Sequence, residues 1–155
     1  MPWTHSTNLK GPSMLRLARL PAALSTSSST SWLALFSTPL AAQQVLSFAA
    51  ELYFSSGANN TGLVTTLSGP AGPQEVLHNL VIGESLTTFR NLTASSYDTH
   101  LIGISSAGSS VLRAQVSGTV ENGSNAGNLS LRFRSEVAGT AVTMLRGSWW
   151  QVLQH

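Results

Sequence analysis

The sequence predicts an all-β domain: an antiparallel two-sheet sandwich or jelly roll of about nine or ten strands, preceded by a short helical or extended N-terminal arm. Residues 128–134 alternate apolar Leu129, Leu131 and Phe133 with Ser and Arg, which is the period of a half-buried strand. Val45–Ser55 shows the same alternation over a longer stretch. Clusters of Gly, Asn, Ser and Pro recur roughly every 8 to 12 residues, as in sandwiches.

Length and composition narrow the class of protein. A chain of 155 residues and 16.3 kDa is one domain plus a tail, and the absence of Cys excludes disulfides, thiolate metal sites and cysteine nucleophiles. Only 9% of the residues are charged, so a contact between copies of the chain would desolvate few charges. The net charge of +2 and the lack of a basic cluster beyond Arg132 and Arg134 argue against nucleic acid as a partner.

The N-terminal segment differs from the rest of the chain in charge. Residues 1–50 contain Lys10, Arg16 and Arg19 but no acid. Ser13 is placed to cap a helix of about two turns that Pro21 ends, and a Ser/Thr run over residues 25–31 follows as a linker. We therefore predict an arm over residues 1–30 and a β-sandwich over 31–155. A helix this short forms only when it packs, either on its own domain or on a larger assembly.

The strands follow in order after the linker. Each is bounded by turn residues or by Pro, which lacks the donor that a sheet ladder needs. The predicted segments are 31–36, 45–55, a strand starting at 63, 75–82, 85–93, 99–105, 111–120, 128–134 and a return strand running from Val142 to Trp150. The apolar phase of these strands predicts the core residues Leu46, Phe48, Leu52, Leu112, Val116, Leu129, Leu131, Phe133 and Val142.

Titratable residues are too few to assemble a catalytic site. The chain has four His and one Asp, and Asp98 with His100 is the only acid and imidazole pair in local register, expected on one strand face as a surface hydrogen bond. No His or Cys spacing matches a zinc site, and no glycine-rich loop opens a helix to hold a phosphate. We predict no enzymatic activity, no cofactor and no metal. No apolar run approaches the roughly 18 residues of a membrane helix, so no membrane contact is predicted.

Three aromatic side chains are candidates for a contact surface: Tyr97, Trp149 and Trp150. They suit a subunit interface or stacking on a glycan. Neighbouring strand residues point to opposite faces, so only one of the two tryptophans serves a surface while the other packs inward. The alternative is that both tryptophans are core or interface residues.

The order of several short motifs resembles a domain of tailed-bacteriophage structural proteins. The motifs are RLA at 16–18 before the Ser/Thr run, LSF at 46–48, NTGL at 60–63, LSGP at 67–70, and the closing pattern from Gly127 to Trp149. The resemblance covers about residues 16–153. It implies a trimeric jelly roll, similar to the tumour necrosis factor fold, that decorates a capsid head or forms a fibre tip.

The resemblance also implies partners. The expected role is a virion structural protein that forms a homotrimer, attaches to a major capsid or other virion protein through its arm, and contacts a host surface glycan. The attachment residues would be Met14, Leu15, Arg16, Leu17, Arg19 and Leu20. Residues 1–30 would reach away from the body, and their deletion would leave the oligomer folded. The alternatives are a carbohydrate-binding sandwich and a secreted adhesin.

Overall fold

A computed structural model describes residues 14–26, 30–103 and 110–155. The predictions on Lys10 and Ser13, residues 27–29 of the Ser/Thr run and residues 107–109 of the predicted turn lie outside the described residues. Every regular element in those ranges is a strand. The strands are β1 (Met14–Arg19), β2 (Leu24–Ser25), β3 (Leu33–Leu40), β4 (Val45–Ser56), β5 (Leu63–Ser68), β6 (Glu75–Gly83), β7 (Phe89–Ala94), β8 (Leu101–Gly103), β9 (Leu112–Glu121), β10 (Gly127–Ser135), β11 (Val142–Met144) and β12 (Trp149–Gln154).

The strands form two antiparallel sheets. The large sheet has eight strands and runs β1-β12-β4-β9-β6-β7, with β11 pairing β4 and β2, while the small sheet runs β3-β10-β5-β8. The pairs β3/β10, β4/β9, β5/β8 and β6/β7 nest along the chain, and successive pairs lie in alternate sheets. That wrapping of a long hairpin is a jelly roll. The prediction of an all-β two-sheet sandwich is confirmed, with twelve strands in the described ranges.

The core fills the space between the two sheets. In β10, Leu129, Leu131 and Phe133 are at most 1% exposed, whereas Arg132 and Arg134 face outward. Both guanidinium groups lie over the ring of Trp32, at 5.7 and 5.0 Å from its centroid, which is cation–π geometry. All nine predicted core residues are buried.

The predicted helix at the N-terminus is wrong. Met14–Arg19 form strand β1, which pairs antiparallel with β12 from Met14 opposite Gln154 to Arg19 opposite Trp149. Pairing satisfies backbone groups along β12 that an isolated two-turn helix would leave open to water. Met14, Leu17 and Ala18 fall at the spacing of a helix face, but this spacing was misleading, because Met14 and Leu17 are 49% and 71% exposed.

The described part of the N-terminal segment does not reach away from the body. β2 pairs with β11, and the amide of Thr26 donates to the carbonyl of Val142 at 3.0 Å while its hydroxyl accepts from the Val142 amide at 3.0 Å. Residues 14–26 therefore extend the large sheet. Deleting residues 1–30 would remove two of its strands and these hydrogen bonds, contrary to the expectation of an intact fold.

Strand β7 begins later than predicted. The expected strand began at residue 85, but the Ser85 hydroxyl accepts hydrogen bonds from the amides of Thr87 and Thr88 at 3.2 and 3.0 Å. Such a serine turn competes with strand formation. Ordered pairing starts only at Phe89, opposite Gly83.

Candidate functional site

A large cavity lies on the outer face of the large sheet, on the side away from the core. It has a volume of about 530 Å³, is open to solvent, and is lined by Leu17, Arg19, Tyr53, Arg146, Trp149 and Gln151, with Gly147 at its margin. We call it the Arg–Trp cavity. Strand pairing brings these residues together, because Leu17 is opposite Gln151, Arg19 is opposite Trp149, and β12 pairs in turn with β4.

A tight turn between β11 and β12 forms one wall of the cavity. The amide of Ser148 donates to the carbonyl of Leu145 at 3.2 Å, and Gly147 between them has a φ of +96°, a left-handed conformation that favours glycine. The missing Cβ also leaves room for Arg19, since a Cβ at Gly147 would lie 3.3 Å from a terminal guanidinium nitrogen of Arg19. The glycine thus allows the turn to form and leaves space for the Arg19 side chain next to it.

The turn is anchored from two sides. The Leu145 amide donates to the Tyr53 carbonyl at 2.7 Å, and the Tyr53 amide donates to the hydroxyl of fully buried Ser148 at 3.0 Å. On the other side, the amide of Leu20 donates to the Ser148 carbonyl at 2.7 Å and the Gly147 amide donates to the Leu20 carbonyl at 3.2 Å. These bonds order the turn without any ligand.

The charge of the cavity is positive and uncompensated. Arg19 and Arg146 are exposed and make no hydrogen bond or ion pair with another residue of the described ranges. The neighbouring carboxylate, Glu51, is directly opposite Trp149 on β4 but is held by Arg113 at 2.8 Å and by the amide of Gln115 at 2.9 Å. The charge of Glu51 is therefore neutralised by residues of β9, which pairs with β4 on the side opposite β12.

The adjacent tryptophans face opposite ways, as predicted. Trp150 is 1% exposed and stacks on Phe36 with ring centroids 5.8 Å apart, while Trp149 is half-buried and lines the Arg–Trp cavity. Of these two residues, only Trp149 has a ring accessible to a ligand. The hypothesis of a surface role therefore applies to Trp149 and not to Trp150.

Tyr97 lies elsewhere in the fold. It packs against the core beside Gly69, where a Cβ would come within 2.3 Å of its ring. Burial raises the pKa of Tyr97 to about 12. The structure therefore does not bring Tyr97 together with Trp149, and a shared contact surface for the two is not supported.

The predicted Asp98 and His100 pair is not on a strand. Asp98 occupies a turn with a φ of +56°, and its amide donates to the Leu67 carbonyl at 2.8 Å. The ring of His100 contacts Trp32, with centroids 5.0 Å apart. Strand alternation does not apply within a turn, so the expectation of one shared face was wrong.

The attachment residues named from sequence separate into two groups on β1. Leu15, Leu17 and Arg19 share the outer face of the sheet with the cavity, whereas Met14 and Arg16 alternate to the opposite face and Leu20, just after β1, packs toward the core. Sequence analysis missed Arg146 and Tyr53 as partners of Trp149. The signal was the RGSWW segment at 146–150, in which a glycine turn places an arginine beside an outward tryptophan.

Comparisons with known proteins give a weak structural likeness to viral structures. No protein-family model and no curated protein sequence matches the chain. A structure of infectious bursal disease virus Gx strain is 11% identical with a TM-score of 0.30, covering 93% of this chain and 36% of that chain. The VP2 subviral particle of the same virus is 14% identical with a TM-score of 0.27, covering 92% of this chain and 40% of that chain.

This chain thus spans well under half the length of those viral chains. The resemblance to bacteriophage and tumour-necrosis-factor-like domains stays a prediction. The order and the nested pairing of the strands define a jelly-roll protein, with an open cavity on the outer face of its large sheet. The described residues include no helix long and apolar enough to cross a bilayer.

One buried titratable group predicts a pH dependence of stability. His78 on β6 is 2% exposed, and its Nε2–H donates to the Ser96 carbonyl at 3.3 Å. Burial lowers the pKa of His78 below its ordinary 6.5, and the hydrogen bond opposes this only in part. The unfolded chain then binds a proton more readily than the folded one. The resulting stability is present above pH 6.5 and is lost as the pH falls toward the lowered folded value.

We expect urea unfolding at a series of pH values to show this loss in the native protein and a smaller loss in His78→Gln. His100→Gln is the control, because that ring lies at the surface against Trp32. Equal slopes of stability against pH in the native protein and His78→Gln would contradict the assignment.

Proposed function

We propose that this protein is a non-enzymatic structural protein of a virus particle that assembles as a homotrimer. The observation that carries the proposal is a jelly roll whose large sheet exposes a different apolar patch at each of its two edges. Jelly rolls serve in viral capsids as well as in lectins and cupins, so the surface has to discriminate among these roles.

The two patches differ in composition and place. The β1 patch consists of Leu15 and Leu153, which are opposite each other and 64% and 36% exposed. The β7 patch consists of Leu86, Phe89 and Val111, which are 75%, 61% and 58% exposed. β1 and β7 lie at opposite ends of the main strand order of the large sheet.

Two unlike patches at opposite edges suit a head-to-tail contact, in which the β1 patch of one subunit meets the β7 patch of the next. Such contacts close into a ring when the rotation permits, and a threefold ring is the form proposed here. Low surface charge favours the contact because few ions need to be desolvated. The outer edge of β1 also offers unpaired backbone groups to a virion partner, which supports attachment through residues 14–20.

The absence of catalysis in this proposal is supported by the surroundings of the imidazoles. His78 faces the core with its ring bonded to a carbonyl, and His100 packs on Trp32. Neither of these two rings is paired with a serine hydroxyl or a carboxylate. His155 lies 3.1 Å from the hydroxyl of Ser47, but no carboxylate of the described residues bonds to this imidazole to orient it as a base, as nucleophilic catalysis needs.

The assembly proposal predicts a mass of three chains by light scattering at micromolar concentration. Leu15→Lys and Phe89→Lys should each abolish the trimer, because a lysine would bring an unpaired charge into an apolar contact. Thr93→Lys, an exposed position on β7 outside the patch, is the control and should leave the mass unchanged.

Mixing the two single variants tests the head-to-tail geometry. Each variant retains one intact patch, so the mixture should form a dimer of one Leu15→Lys and one Phe89→Lys chain and no larger ring. A native mass near that of one chain would overturn the proposal. A trimer that persists in Phe89→Lys would exclude the β7 patch from the contact.

Carbohydrate binding is a second candidate function, favoured by the half-exposed ring of Trp149 in an open cavity. It is compatible with a virion protein that contacts a host surface glycan.

A further inference from the structure

We propose that the Arg–Trp cavity binds a sugar residue that carries a carboxylate, such as a uronic or sialic acid unit of an acidic glycan. The proposal deepens the glycan-binding candidate and does not depend on trimer formation. It assigns a ligand class to a cavity whose residues come from β1, β4 and the turn before β12.

The size of the cavity fits a monosaccharide unit with its neighbours. Its volume of about 530 Å³ lies within the roughly 300–1,000 Å³ of ordinary small-molecule sites. Its wide opening to solvent suits the end or branch of a chain rather than a fully enclosed metabolite.

The two arginines select an anion. Arg19 and Arg146 approach the same space without a carboxylate partner in the described ranges, so their mutual repulsion is relieved when a negative ligand group binds between them. A guanidinium group presents a planar pair of donors that matches a carboxylate. Glu51 does not compete, because Arg113 and Gln115 already engage both of its oxygens.

The remaining lining residues select a sugar ring over a bare inorganic anion. Trp149 and Tyr53 present aromatic rings, against which the apolar C–H face of a pyranose can stack. Gln151 supplies an amide that can both donate to and accept from hydroxyl groups. Inorganic phosphate would leave these surfaces unused.

The site is ordered before the ligand arrives. The backbone of the turn that carries Arg146 is held by hydrogen bonds to Tyr53 and Leu20, and the missing Cβ at Gly147 leaves space for the Arg19 side chain. Binding then has a smaller cost in chain ordering, which matters for a shallow site with few contacts.

Calorimetric titration of the full-length protein with methyl glucuronide tests the proposal, with methyl glucoside as the neutral isostere and inorganic phosphate as the bare anion. We expect methyl glucuronide to bind at least about tenfold more tightly than either comparison compound, the loss that follows when a charged hydrogen-bond partner is removed. Its affinity should also fall with added salt.

Variants of the lining arginines give the second readout. Arg19→Gln and Arg146→Gln should each weaken methyl glucuronide binding about tenfold while leaving the weak binding of methyl glucoside unchanged. Arg16→Gln is the matched control, because it lies on the same strand but its side chain points to the opposite face from Arg19. Trp149→Ala should weaken binding of both sugars, since it removes the stacking surface.

The outcomes separate the hypotheses. Equal affinity for methyl glucuronide and methyl glucoside, or an unchanged affinity in Arg146→Gln, overturns the acidic-sugar proposal. Phosphate binding as tight as methyl glucuronide would show an anion site without sugar selectivity and also overturns it. Light scattering on the native protein and on Arg146→Gln separates this proposal from the proposed function. A native trimer that binds no methyl glucuronide would overturn the acidic-sugar proposal and leave the structural role standing.

Discussion

Trp150→Ala is expected to lower the free energy of unfolding by about 3–5 kcal/mol. Its indole is 1% exposed, and it stacks on Phe36 at 5.8 Å with an interplanar angle of 13° and lies against Phe48 at 6.2 Å. Truncation removes the largest fully buried side chain of the described residues and opens a cavity between the two sheets. The surrounding strands are hydrogen-bonded on both sides and can collapse only partly into that space.

The neighbouring tryptophan is the matched control for this experiment. Trp149→Ala removes the same side chain from the outer face of the sheet, where it is partly in water already, so its cost should be well below that of Trp150→Ala. Urea unfolding of the two variants measures the difference. A larger loss for Trp149→Ala would mean that β12 is inserted in the opposite register.

Phe133→Ala is the second variant with a large expected effect, again about 3–5 kcal/mol. Phe133 is fully buried on β10, a central strand of the small sheet, where it is opposite Leu33 on β3 and Thr65 on β5. Because strands flank it on both sides, the cavity left by the ring has little freedom to close.

Arg134→Ala on the same strand provides the comparison. The Arg134 side chain faces outward over Trp32 and donates a hydrogen bond to the Ser135 carbonyl at 2.9 Å. Its loss therefore costs a cation–π contact worth about 0.5–1 kcal/mol and a hydrogen bond worth about 1 kcal/mol. Chemical denaturation should show a larger loss for Phe133→Ala than for Arg134→Ala, by about 1 kcal/mol or more. Comparable losses in the two variants would contradict the burial of one face and the exposure of the other.

The alternation of apolar and polar residues along a strand can be read from neighbouring positions in the sequence. The side chains that enter the core could therefore be predicted. The alternating segment at 128–134 predicted which side chains of β10 enter the core, and the same period separated Trp149 from Trp150. The turn residues predicted most strand ends to within a few positions of those in the structure. The exception at β7 arose because a serine side chain, not a glycine or proline, diverts the backbone at Ser85.

Pairing with distant strands determined the secondary structure of segments whose local sequence favours a different one. Met14–Arg19 has a helical spacing of apolar residues, yet it forms a strand because β12, far along the chain, offers an unpaired edge. A propensity difference of a few tenths of a kcal/mol per residue is outweighed by a run of backbone hydrogen bonds. The Asp98 and His100 geometry also depended on a turn that alternation cannot describe.

The sequence by itself determined the fold class, the core residues and the opposite faces of Trp149 and Trp150, since a period of two residues specifies which side chains leave water together. Only the tertiary structure decided that Arg19 and Arg146 share a cavity with Tyr53 and Trp149. Those residues come from opposite ends and the middle of the chain, and nothing in their local sequence specifies which strands become neighbours. Their proximity follows from the order of β1, β12 and β4 in the sheet, which the packing of the whole chain selects.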